Sequence, residues 1–217
     1  NIKGIRVSQD LFDDLSDDPN DWSLAIAAEA STRLPTESPL ITRPFDYGTV
    51  ISYSFEVAHW QATRFSNGTR YGVWYGALDV ETTVYETVYH WRRFVLDSYA
   101  KVDREIVGER RVFNVRCDAL LLDFRGRERA YPKLIDRNDY TFAQRVGAYV
   151  AEQGLNGLVV RSARCDGVIA AVFKPERLSN PRDRCFLTYR TNPCVDRCVV
   201  ERTPGRRWMD IVPSSLS

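Results

Sequence analysis

The chain has 217 residues, the size of one large domain or two small ones. Hydrophobic residues make up 44% and charged residues 27%, a globular balance that excludes a disordered, collagenous or fibrous protein. The net charge of +1 leaves no global field to draw the chain to nucleic acid or anionic lipid, and no run approaches the roughly 18 apolar residues of a membrane-spanning helix.

Residues 1–40 read as an acidic arm, with six aspartates between Asp10 and Asp21 followed by the short helical stretch WSLAIAAEA. A turn-rich linker from Pro35 to Pro44 leads into the main domain, expected over 41–217. From Thr49, TVISYSFEV alternates β-branched and aromatic residues as a strand does, and GVWYGA (72–77) is a second, shorter strand. Asp79 is suited to cap a helix in which Val80, Val84, Val88 and Trp91 form one apolar stripe. Glu86 stands about 160° around that helix from Val84, on a face shared with Thr82, Thr83, Tyr89 and Arg93.

Strand patterns recur at RRVFNVRC (110–117) and ALLLDF (119–124). An Arg-rich loop over 125–137 precedes a helix from Thr141 to Gln153, ended by Gly154. GLVVRSA (157–163) and GVIAAVF (167–173) flank a tight turn at Cys165-Asp166-Gly167, a strong hairpin signal. CFLTYR (185–190) and CVVER (198–202) are the last strand candidates. Strands outnumber helices without βαβ alternation, which predicts an α+β fold of curved, mostly antiparallel sheets with flanking helices.

Familiar chemistry is missing. The five cysteines (117, 165, 185, 194, 198) have no framework spacing and read as reduced thiols of a cytoplasmic protein. Cys194-x3-Cys198 has neither a second pair nor a nearby histidine, so no metal is expected. There is no phosphate loop, dinucleotide fingerprint, HExxH or GxSxG. With only His59 and His90 present, acid–base or electrostatic work would fall to a carboxylate.

One constellation remains. Arg64, Tyr75 and Glu86 follow one another at intervals of 11 residues: a cation, an aromatic on a short strand, and a carboxylate off the apolar stripe. Ser162 ends the otherwise apolar strand of VVRSAR, where a hydroxyl must find a partner. Singly, each has an ordinary reading: a surface arginine, a core tyrosine, a helix carboxylate paired with Arg93. As an ordered set they resemble the RES domain family, named for its Arg, Glu and Ser, whose members are toxins of bacterial toxin–antitoxin pairs. The elements that carry the resemblance are TRFSNG (63–68), VWYGA (73–77), ETTVYE (81–86), GLNGLVVRSAR (154–164) and VFKP (172–175). It runs from about Arg43 to Pro175. It carries the family's site residues onto Arg64 (or Arg70 in the same segment), Tyr75, Glu86 and Ser162, and an earlier cleft arginine onto Arg43.

The resemblance implies the NAD-binding fold of ADP-ribosyltransferases and cleavage of the nicotinamide–ribose bond of NAD+. In that reading Glu86 stabilises the positive ribose, Tyr75 stacks on nicotinamide, Arg64 and Arg43 hold the pyrophosphate, and Ser162 hydrogen-bonds the ribose or the nicotinamide amide. Water, phosphate or a protein side chain is the acceptor, so a glycohydrolase, a phosphorylase and a protein ADP-ribosyltransferase all remain open. A non-catalytic binding module is the reading from another class. Implied partners are a cognate antitoxin of helix-turn-helix type and, for a transferase, a protein acceptor; no direct nucleic-acid or membrane contact is expected. A homodimer is the default symmetric assembly.

Overall fold

The computed structural model describes residues 2–4 and 50–216. Most of the arm read over 1–40, the linker and Arg43 therefore lie outside the described residues. In chain order the strands are β1 (Ile2–Gly4), β2 (Trp74–Ala77), β3 (Ile106–Cys117), β4 (Leu122–Asp123), β5 (Gly157–Arg161), β6 (Val168–Val172), β7 (Leu178–Thr191), β8 (Cys198–Thr203) and β9 (Arg206–Ile211). Helix α1 (Val80–Tyr99) falls between β2 and β3, and α2 (Thr141–Glu152) between β4 and β5. Among the described residues, two mostly antiparallel sheets with two α-helices make the α+β fold expected from the pattern.

Helix α1 starts where Asp79 accepts the Thr82 backbone N–H at 2.6 Å and the Thr82 hydroxyl at 2.9 Å, supplying acceptors for donors that a helix start leaves unpaired. Its stripe of Val84, Val88, Trp91 and Val95 is buried against the five-stranded sheet, ordered β1-β3-β7-β8-β9 and antiparallel throughout. Ile106, Leu187, Tyr189, Cys198 and Val200 face it from the strands. Gly108 is the strand position that admits the Trp91 ring, since an added Cβ would lie 2.7 Å from it. Trp91 Nε1 donates to Thr191 Oγ1 at 3.1 Å, so the indole is buried with its polar atom satisfied.

The second sheet, ordered β2-β6-β5-β4, is antiparallel except for the β4–β5 pair. Helix α2 covers it through Ala143 and Val150, which pack with Phe65, Leu158, Val160, Ile169 and Ala171. A smaller cluster of Trp74, Val172 and Leu178, backed by Ile51, Phe55 and Val115, ties this sheet to the base of the long β3–β7 ribbon.

Three local expectations are corrected. Over residues 50–59, where TVISYSFEV pointed to a strand, the chain forms two short 3-10 turns, Ser52–Ser54 and Val57–His59. With no neighbouring strand among the described residues to take its backbone groups, the segment closes i→i+3 bonds such as Phe55 N–H to Ser52 O at 2.8 Å. ALLLDF contributes only the two residues of β4. The β5–β6 hairpin opens at Ser162, whose N–H donates to Gly167 O at 2.8 Å, so the connection is a wide loop and not a tight turn at 165–167. Gly167 is needed there for a different reason: a Cβ would sit 1.7 Å from Thr82 Oγ1 at the start of α1.

Burial raises the Cys198 thiol from 9.0 to about 11. A raised acid favours the native state below the unfolded value, and that contribution is lost as pH rises through the native one. The stability difference between wild type and Cys198→Ala should therefore shrink by about 2 kcal/mol between pH 9 and 11, read by urea denaturation across that range.

Candidate active site

Arg64 leaves only 7% of its surface exposed. Its Nε and Nη2 both donate to Leu134 O, at 2.9 and 2.6 Å, and Nη2 also reaches Arg161 O at 3.0 Å. Nη1 is buried with no hydrogen-bond partner among the described residues. Burial pulls the guanidinium below its ordinary range, while the nearby Glu86 carboxylate, and then Tyr75 and Tyr140, oppose that pull. Arg70, the other arginine of the segment, is exposed and pairs with Glu152 at 3.2 Å. The fold thus brings Arg64, and not Arg70, to Glu86.

The segment that carries Arg64 is fastened on both sides. The Tyr75 hydroxyl, at the second position of β2, accepts the Phe65 N–H at 2.9 Å and lies 2.9 Å from Thr63 Oγ1. Gln144 of α2 donates to Thr63 O at 2.9 Å. Burial pushes the Tyr75 phenol far above its usual range, so it works as a neutral hydroxyl. Its ring sits at the edge of the α2 core cluster, partly buried.

Glu86 and Ser162 meet directly, where α1 crosses the β5–β6 loop. Ser162, 2% exposed, donates to Glu86 Oε1 at 2.5 Å. Its oxygen accepts the backbone N–H groups of Arg164 at 2.9 Å and Cys165 at 3.3 Å. A hydroxyl has one donor and two acceptor positions, so the valence of Ser162 is full and its hydrogen is directed onto the carboxylate. Around this pair lies a residue that the sequence pattern carried without a role. Arg164 is 4% exposed, stacked 3.5 Å from the centre of the Tyr89 ring, and hydrogen-bonded to Leu216 O, Arg137 O and the Tyr140 hydroxyl. Its signal was its place two residues after Ser162; Tyr89 was already on the Glu86 face of the helix.

Four of the five anticipated residues (Arg64, Tyr75, Glu86 and Ser162) converge, although up to 98 positions separate them in the chain. Arg43 lies outside the described residues. The five cysteines are all free. Among the described residues no group of His, Cys, Asp and Glu is placed to hold a metal ion, and no helix is long and apolar enough to cross a membrane.

An α+β domain with a buried guanidinium, a carboxylate and a saturated serine at a helix–hairpin junction is the class of protein these features define. The sequence pattern of the RES domain matches residues 33–208, and the chain belongs to that family. No curated protein matches the chain.

Proposed function

We propose that the chain is the toxin of a toxin–antitoxin pair and cleaves the nicotinamide–ribose bond of NAD+. One observation carries the reading: the Glu86 carboxylate, held by Ser162, lies close to a buried guanidinium whose Nη1 has no acceptor among the described residues. Buried donors are nearly always paired in folded proteins, and an anionic ligand would complete this one.

The chemistry suits the residues. Nicotinamide departs as a neutral ring and needs no proton, so the scarcity of histidine is no obstacle. Positive charge builds on the ribose as the bond breaks, and a fixed carboxylate stabilises that state more than the ground state. Glu86 takes this role. Tyr75 offers its ring for stacking on nicotinamide, its hydroxyl being occupied by the Arg64 segment. Arg64 contributes its charge and Nη1, the remainder of its fork being spent on carbonyls, and Arg43 completes the grip on the pyrophosphate. Ser162 acts on the reaction through Glu86. Two mostly antiparallel sheets with the site at a helix–hairpin junction suit the NAD-binding fold of ADP-ribosyltransferases. A cognate antitoxin in the same cytoplasm would keep the activity in check.

The test is to incubate purified protein with NAD+, with and without phosphate, and to separate the products by chromatography. Loss of NAD+ with release of nicotinamide is the expected result, and ADP-ribose or its 1-phosphate identifies the acceptor. Label from NAD+ appearing on added lysate proteins would establish the transferase instead. Intact NAD+, together with no NAD+ effect on the melting temperature, would overturn the reading in favour of a binding module.

A further inference from the structure

We propose that Arg164 is a positioning residue for Glu86, acting through Ser162, and that the turn Pro213–Leu216 is the strut that holds Arg164 in place. The catalytic arm of this proposal rests on the NAD+ reading; the structural arm does not.

The valence of Ser162 is filled. Its hydrogen reaches Glu86 only because both lone pairs are taken by the N–H groups of Arg164 and Cys165. The direction of that hydrogen is therefore set by the path of the 162–167 loop. That path is fastened from outside at two points. The Arg164 guanidinium donates through Nη1 to Leu216 O at 2.5 Å and through Nη2 to Arg137 O and the Tyr140 hydroxyl, both at 2.7 Å. Arg137 in turn donates through Nε to Ala163 O at 3.0 Å and through Nη1 to Ser215 O at 2.8 Å. Two arginines thus stitch the loop to consecutive carbonyls of one turn.

The turn itself is seated. Pro213 and Leu216 are buried, and Leu216 belongs to the apolar cluster of Val84 and Val88 on α1. The helix that carries Glu86 and the loop that carries Ser162 are referenced to the same short segment. Arginine is required at 164 because a flat fork must reach three acceptors while stacking on Tyr89, a geometry that an ammonium does not reproduce. Residues 213–216 fall beyond the family match over 33–208.

The test compares wild type with Arg164→Lys and with a chain ending at Val212. Val95→Ala, a core change about two and a half turns along α1 from Glu86, controls for lost stability. A double-mutant cycle of Ser162→Ala and Glu86→Ala, each of which removes one partner of the hydrogen bond, read by urea denaturation, measures the coupling of that pair without any substrate. The coupling is expected to change the unfolding equilibrium about fivefold in the wild-type background and to vanish in Arg164→Lys. In the NAD+ assay, Arg164→Lys and the shortened chain should lose about 10²-fold in kcat with KM within about twofold, while Val95→Ala keeps its kcat. Coupling that persists in Arg164→Lys overturns the proposal whatever NAD+ does. Coupling that vanishes while the wild type leaves NAD+ intact supports the strut and overturns the NAD+ reading.

Discussion

Glu86→Gln is expected to lower kcat for NAD+ cleavage by about 10³-fold, with KM moving less than about threefold. The amide has the shape of the carboxylate and keeps an oxygen for the Ser162 hydroxyl, so the contact at Oε1 survives. What disappears is the negative charge. In the ground state the positive charge of the substrate sits on the nicotinamide ring; as the bond electrons leave with that ring, the charge moves onto the ribose carbon, where the carboxylate stabilises it more strongly. The loss therefore belongs to the transition state, which is why it should appear in kcat. Unchanged turnover in steady-state assays would remove Glu86 from the chemistry, and a change confined to KM would make it a binding group. Glu86 also lies near Arg64, so the same substitution should cost about 1 kcal/mol of stability in urea.

Arg64→Met should destabilise the fold by about 3 to 5 kcal/mol, a drop on the order of 10 °C in melting temperature. The methionine fills most of the volume but leaves Leu134 O without the two N–H groups it accepts and Arg161 O without its donor from the guanidinium. Those carbonyls belong to the loop before α2 and to the last residue of β5, one position from Ser162. The damage should thus reach the site, and NAD+ turnover should fall even at temperatures where the variant is folded. Arg64→Lys restores the charge with a single point of donation and should recover less than half of the stability. Equal stability of Arg64→Met and wild type would mean that the fork is not what holds the 134 and 161 segments together.

How much of this could be read from the chain depends on the range of the forces involved. Helix α1, its cap at Asp79 and its stripe of Val84, Val88 and Trp91 follow from residues within a few turns of one another, and the structure shows each of them. The same spacing placed Glu86 and Tyr89 together off the stripe, on the side that meets the β5–β6 loop. The strands of that hairpin were equally local. The alternation in TVISYSFEV pointed to a strand and misled, because alternation states which residues share a face but not whether a neighbouring strand is present to pair with them. The tight turn expected at Asp166-Gly167 failed for a related reason. The Ser162 hydroxyl takes two backbone donors and widens the loop, and Gly167 serves close packing against Thr82 instead of a turn.

By itself, then, the sequence determined the periodic elements, the α+β class, and which residue types were available for chemistry. The convergence of Arg64, Tyr75, Glu86 and Ser162 was suggested only by the order of motifs, since nothing in local spacing brings positions 76 residues apart within 2.5 Å. The burial of Arg64, the full valence of Ser162 and the seat of Arg164 on Leu216 O were decided by the tertiary structure alone. Each depends on a backbone carbonyl or amide for its partner. Every residue has those groups, so no side-chain pattern announces which of them a distant arginine or serine will meet.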